Sequence, residues 1–96
     1  MIFGLFGKKE EKIAGDFIGK VVHYFPKVKA AVIQLEKGPL ASGDKIQIRG
    51  NTTNFKQKVA SMQIDHQTVE KAARKKEVAI QVKKRTRRGD KVFILK

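Results

Sequence analysis

A turn pair, Gly43-Asp44, feeds directly into Lys45-Ile46-Gln47-Ile48-Arg49-Gly50, and this stretch constrains the fold more than any other. Ile46 and Ile48 alternate with polar residues at a period of two, which puts one face of a strand in a core and the other toward solvent. The strand closes a hairpin and runs into the polar segment Asn51-Thr52-Thr53-Asn54-Phe55. A second pair, Gly89-Asp90, opens another short strand at Val92–Leu95. Two tight turns of one chemistry, each feeding a short alternating strand, predict a small barrel.

The rest of the chain reads the same way. Residues 18–25 form a strand that Pro26 ends. In Ala30–Leu35, the residues Ala31, Ile33 and Leu35 share a face. Glu36-Lys37-Gly38-Pro39 is a turn, and Leu40–Asp44 leads into the next strand. Between Phe55 and Ile64 the apolar parity slips: Phe55, Gln57 and Val59 are in phase, but Met62 and Ile64 are not. One extra residue would absorb the slip, so a β-bulge is expected at Ala60-Ser61. Residues 69–76 show no recurring apolar face and predict a connection with at most one short turn. Val78, Ile80 and Val82 alternate again, and Lys91–Leu95 is the last strand. The expected fold is all-β: a small closed antiparallel β-barrel of six to seven strands. Residues 1–12 read as a flexible tail and 13–96 as the single domain.

Charge is the feature of the composition that bears on function. The chain of 96 residues carries 22 Lys and Arg against 9 acids, a net charge of +13, and eleven of the basic residues fall between 71 and 96. Such a field draws polyanions or acidic partners. Lys83-Lys84-Arg85-Thr86-Arg87-Arg88 lies between two predicted strands and is the first candidate for phosphate contact, since Arg grips phosphate with a planar fork and Lys adds a mobile charge. Arg74, Lys75 and Lys76 would widen that footprint, and Lys56 and Lys58 on an outer strand face would extend it. The alternative for the basic loop is protection of a sheet edge. Phe55, beside the polar Asn-Thr-Thr loop, is the one aromatic that suits base stacking. Phe93 and one of Tyr24 and Phe25 belong in the core.

Other chemistries find little support. Gly15-Asp16-Phe17-Ile18-Gly19-Lys20-Val21 imitates a phosphate loop but is one residue short between the glycines and has no Ser or Thr after Lys20, so nucleotide binding is not expected. His23 and His66, without cysteines, do not make a zinc set. Ser42 and Ser61 have no oriented base nearby in sequence, so no enzyme and no cofactor are expected. Asn51-Thr52-Thr53 matches a glycosylation sequon but reads as a polar turn. Apolar runs are far shorter than the ~20 residues of a membrane span, and the cysteine-free chain suits a cytoplasmic setting.

Taken together, Ile18-Gly19-Lys20-Val21, Ala31–Leu35, Gly38–Ile46, Thr52-Thr53 and Val59-Ala60-Ser61-Met62 resemble the second domain of elongation factor Tu-like proteins, over roughly residues 16–95. The segments 51–57 and 61–64 are similar to the C-terminal barrel of collagenase-like peptidase homologues. The resemblance implies a stand-alone elongation factor-like barrel that binds structured RNA or the ribosome. It departs where relatives carry a Gly-Asp turn before the penultimate strand and this chain has Lys75-Lys76. The rival expectation is a protein-interaction module that docks on an acidic partner or on a separately encoded enzyme.

Overall fold

The computed structural model describes residues 15–95; the expected N-terminal tail at 1–12 lies outside them. Ten strands follow in order: β1 (Gly15–Phe25), β2 (Ala30–Leu35), β3 (Leu40–Ala41), β4 (Lys45–Arg49), β5 (Asn54–Lys58), β6 (Met62–Ile64), β7 (Gln67–Val69), β8 (Lys71–Ala72), β9 (Glu77–Gln81) and β10 (Lys91–Leu95). Eight form one antiparallel sheet in the order β5-β4-β10-β1-β2-β9-β6-β7, and β3 pairs with β8 in a separate ribbon. The all-β antiparallel class is as the alternation predicts. The closed barrel of six to seven strands is not: the hydrogen-bonded ladder ends at β5 on one side and β7 on the other. Its two outermost strands belong to stretches where the sequence reading went astray.

The sheet nevertheless curls. Gln57 of β5 donates its side-chain amide to Gln81 O of β9 at 2.8 Å, and its Oε1 accepts Lys83 N–H at 2.9 Å. A side chain thus spans the gap between strands that the ladder keeps five places apart. Inside the curl lie Ala31, Ile33 and Leu35 from β2, Ile46 and Ile48 from β4, and Val78, Ile80 and Val82 from β9 and its end, all at 2% exposure or less. Leu40 and Ala72, paired across the β3–β8 ribbon, are buried with them.

The expected bulge at Ala60-Ser61 is replaced by a break. β5 stops at Lys58 and β6 starts at Met62, so Val59–Ser61 carries the chain from the sheet edge to a place beside β9. Val59 and Met62 are both buried, which resolves the parity slip without an unpaired residue in a ladder. Bulges occur in β1 instead: its register slips against β10 between Phe17 and Gly19, and against β2 between Val21 and His23. Gly19 sits where any Cβ would strike Gln34 O, so close strand approach requires glycine there.

The connection expected at 69–76 contains β8, and a hairpin precedes it. Asp65 and His66 form a two-residue turn with φ of 52° and 67°, the left-handed pair that a type I′ hairpin demands, and β6 and β7 flank it. β8 follows at once.

Three turns share one construction. Gly43 N–H donates to Val59 O and Val59 N–H returns to Asp44 O, both at 2.8 Å. Gly89 and Asp90 clasp Val21 identically, again at 2.8 Å each way. Lys75 and Lys76 clasp Leu35 at 2.8 and 2.9 Å. In each, the third turn residue has positive φ: 93° at Gly43, 94° at Gly89 and 77° at Lys75. The first two are locked further by the aspartate, whose Oδ2 accepts the N–H three residues back, from Ala41 at 2.9 Å and from Arg87 at 2.8 Å. Each clasp grips a buried residue of the core.

Candidate binding surface

The Gly89-Asp90 clasp determines what the basic loop can do. Asp90 is 5% exposed and holds Arg87 N–H, while Thr86 is buried at 1%. Lys83, Lys84, Arg85, Arg87 and Arg88 are all exposed. The loop is therefore anchored by its neutral member and presents its charges outward. Its start is tied to β5 through Lys83 N–H and Gln57, the residue between the exposed Lys56 and Lys58. Its end is tied to the turn after β4, where Arg87 Nε–H donates to Thr52 Oγ1 at 3.1 Å.

Arg74, Lys75 and Lys76 do not join this group. They precede β9 and contact the end of β2 at Leu35, whereas Val82 N–H reaches Lys29 O before the start of β2. The length of β9 separates the two loops by roughly 20 Å. The sequence left open whether the two loops meet; they form two patches at opposite ends of β9. Phe55 is 7% exposed and packs within the core, so it offers no face for stacking. Phe93, expected inside, is only half-buried and meets Phe17 edge-on at 5.9 Å and 68° on the outer sheet face. Tyr24 packs against the core and Phe25 is exposed at 45%, its ring 4.3 Å from that of His23.

Two concave surfaces flank β4 and β10. Beside the Gly43-Asp44 turn is a groove of about 420 Å³ lined mainly by apolar groups, including Phe17, Ile18, Pro39, Leu40 and Ile94. Beside the Gly89-Asp90 turn is one of about 620 Å³ lined by Arg49, Asn51, Arg87, Arg88, Lys91 and Phe93 among others. Arg49 and Lys91 were not singled out by sequence reasoning, because each looks like an ordinary strand terminus. The signal that could have found them is that each belongs to a strand entered by a Gly-Asp turn, Arg49 as its last residue and Lys91 as its first. The imitation phosphate loop at 15–21 lies within β1 as extended strand. Among the described residues no group of three His, Cys, Asp or Glu could hold a metal ion, and no helix is long and apolar enough to cross a membrane.

No family model matches the chain. A collagenase of Porphyromonas gingivalis is 38% identical over 88 residues, which cover 91% of this chain and 20% of the relative. An uncharacterised protease of Methanocaldococcus jannaschii is 41% identical over 80 residues, 82% of this chain and 19% of its own length. The chain thus spans about a fifth of the length of the curated relatives it matches. Among solved structures, the C-terminal domain of a candidate U32 peptidase of Geobacillus thermoleovorans superposes with a TM-score of 0.78 at 20% identity, covering 91% of this chain and 100% of that domain. Its selenomethionine variant gives a TM-score of 0.76 at 21% identity, covering 81% and 98%. The likeness to the solved domain is one of fold.

These matches support the collagenase-like half of the expected resemblance and give none to elongation factor Tu. They also overturn the expected function: the curated relatives are a collagenase and a protease, not translation factors that bind RNA or the ribosome.

Proposed function

We propose that this chain is a protease-associated accessory domain of the collagenase-like U32 peptidase class, acting in binding rather than in bond cleavage. The observation that carries it is one of proportion. Nearly all of the chain matches about a fifth of a much longer collagenase, and the same fold stands as a C-terminal domain of a candidate U32 peptidase. A unit of that size and position serves to hold a substrate or a partner for chemistry done elsewhere.

The surface supports the same reading. Nucleophilic catalysis needs an activated side chain with a base in reach. The exposed side chains gathered around the larger groove are instead Arg87, Arg88, Lys91 and the amide Asn51. Such groups bind and orient anions without supplying a nucleophile.

Assay of the purified chain on gelatin and on a mixed peptide library tests this directly. No cleavage above a heat-treated control is expected. Turnover that purifies with the chain and disappears with a single point substitution would overturn the accessory role.

A further inference from the structure

Cross-strand register places three cations side by side. Lys20 of β1 is the partner of Lys91 of β10, and Lys91 is the partner of Arg49 of β4. Lys20 and Lys91 are exposed and Arg49 half-buried. Two strand spacings separate the outer members, about 10 Å. Like charges directly opposite one another destabilise a sheet, and the Lys20–Lys91 pair stands on strands inside the sheet rather than at an edge. Arg87 and Arg88 stand beside the row in the same groove, with Arg87 pinned by Thr52. Asp90 also lines the groove, and its Oδ2 accepts Arg87 N–H.

The geometry points to a binding site at the Lys20–Lys91–Arg49 row and the adjoining groove for an acidic segment of a partner protein, whose carboxylates the row would neutralise. Carboxylates on one face of an extended segment recur about every 6.7 Å, so two of them fit within the row. The floor of the groove adds apolar area through Phe93, as the centre of a protein interface does. Nucleic acid is less well served: the one aromatic lining the groove, Phe93, is half-buried and already packed edge-on against Phe17. That the partner is protein rests on the accessory-domain reading; the cation row stands on register alone.

The test uses a labelled Glu-rich peptide and a uridine oligonucleotide of equal length as probes, with binding followed by fluorescence anisotropy in moderate salt. The variant K20Q/K91Q is compared with K37Q/K71Q, which removes the same charge beside the other groove. Peptide affinity should fall on the order of tenfold in K20Q/K91Q and less than twofold in K37Q/K71Q. Unchanged circular dichroism in both variants makes the comparison one of binding, and the single variants K20Q and K91Q serve if the double variant unfolds. Equal losses in the two doubles would mean that net charge alone attracts the peptide and would overturn the site. Tighter binding of the oligonucleotide than of the peptide would overturn the choice of partner. Either result is separable from the cleavage assay, which involves no binding probe.

Discussion

Lys75 occupies, at φ 77°, the position that glycine holds in the two sister turns. A side chain there costs on the order of 1 kcal/mol, and its neighbour Lys76 cannot supply the carboxylate that locks Ala41 and Arg87. K75G should therefore stabilise the protein by about 1 kcal/mol in urea titration, while G89A should cost about as much or more. Equal effects of the same sign would contradict the shared-turn account. The departure was legible in the sequence, since Lys75-Lys76 stands out against Gly43-Asp44 and Gly89-Asp90. What could not be read was the clasp itself, because Val59, Leu35 and Val21 are distant in the chain and identical in type to other core residues. Thr86 makes a second case. Its Oγ1 is buried with no hydrogen-bond partner among the described residues, so T86V should raise stability by roughly 1 kcal/mol. A loss of that size would show the hydroxyl to be satisfied in solution.

Strands with clean alternation were easy to anticipate, and those without it were not. β2 and β9 bury every second residue, and β4 buries Ile46 and Ile48 as the period predicts, although Gln47 between them, expected toward solvent, is buried too and donates its amide to Asn54 Oδ1. β7 and β8 are short and polar, and the hairpin ahead of β7 uses Asp65-His66 in place of the usual Asn-Gly. The left-handed conformation of that turn is imposed by the pairing of Met62 with Val69 and Ile64 with Gln67 rather than by its own residues. Replacing Asp65-His66 by Asn-Gly should thus stabilise the sheet by about 1 kcal/mol; no change would mean that tertiary packing alone holds the hairpin. At the opposite edge, β5 exposes Lys56 and Lys58. Charge there guards an open strand. K56V/K58V should associate with rising concentration in analytical ultracentrifugation, whereas a monomer at all concentrations would leave these lysines free for another role.

Across the whole molecule, charge and fold divide the surface. The Gly43-Asp44 end of β4 and β10 carries an apolar groove, and the Gly89-Asp90 end a cationic one. Net charge led to the expectation of RNA, with an acidic protein as its rival, because charge by itself does not distinguish one anion from another. The choice between Arg49 with Lys91 and the more conspicuous Arg74–Lys76 required register, which pattern alone does not give. The accessory-domain proposal rests on the relatives, through size as much as through likeness: one unit, a fifth of each curated relative. The most direct measurement is a graft. Residues 15–95 would replace the matching segment of the Porphyromonas gingivalis collagenase, and activity would be compared with the intact enzyme and with the segment deleted. Activity lost on deletion and restored in substantial part by the graft is the predicted result. A folded graft as inactive as the deletion would contradict the accessory role.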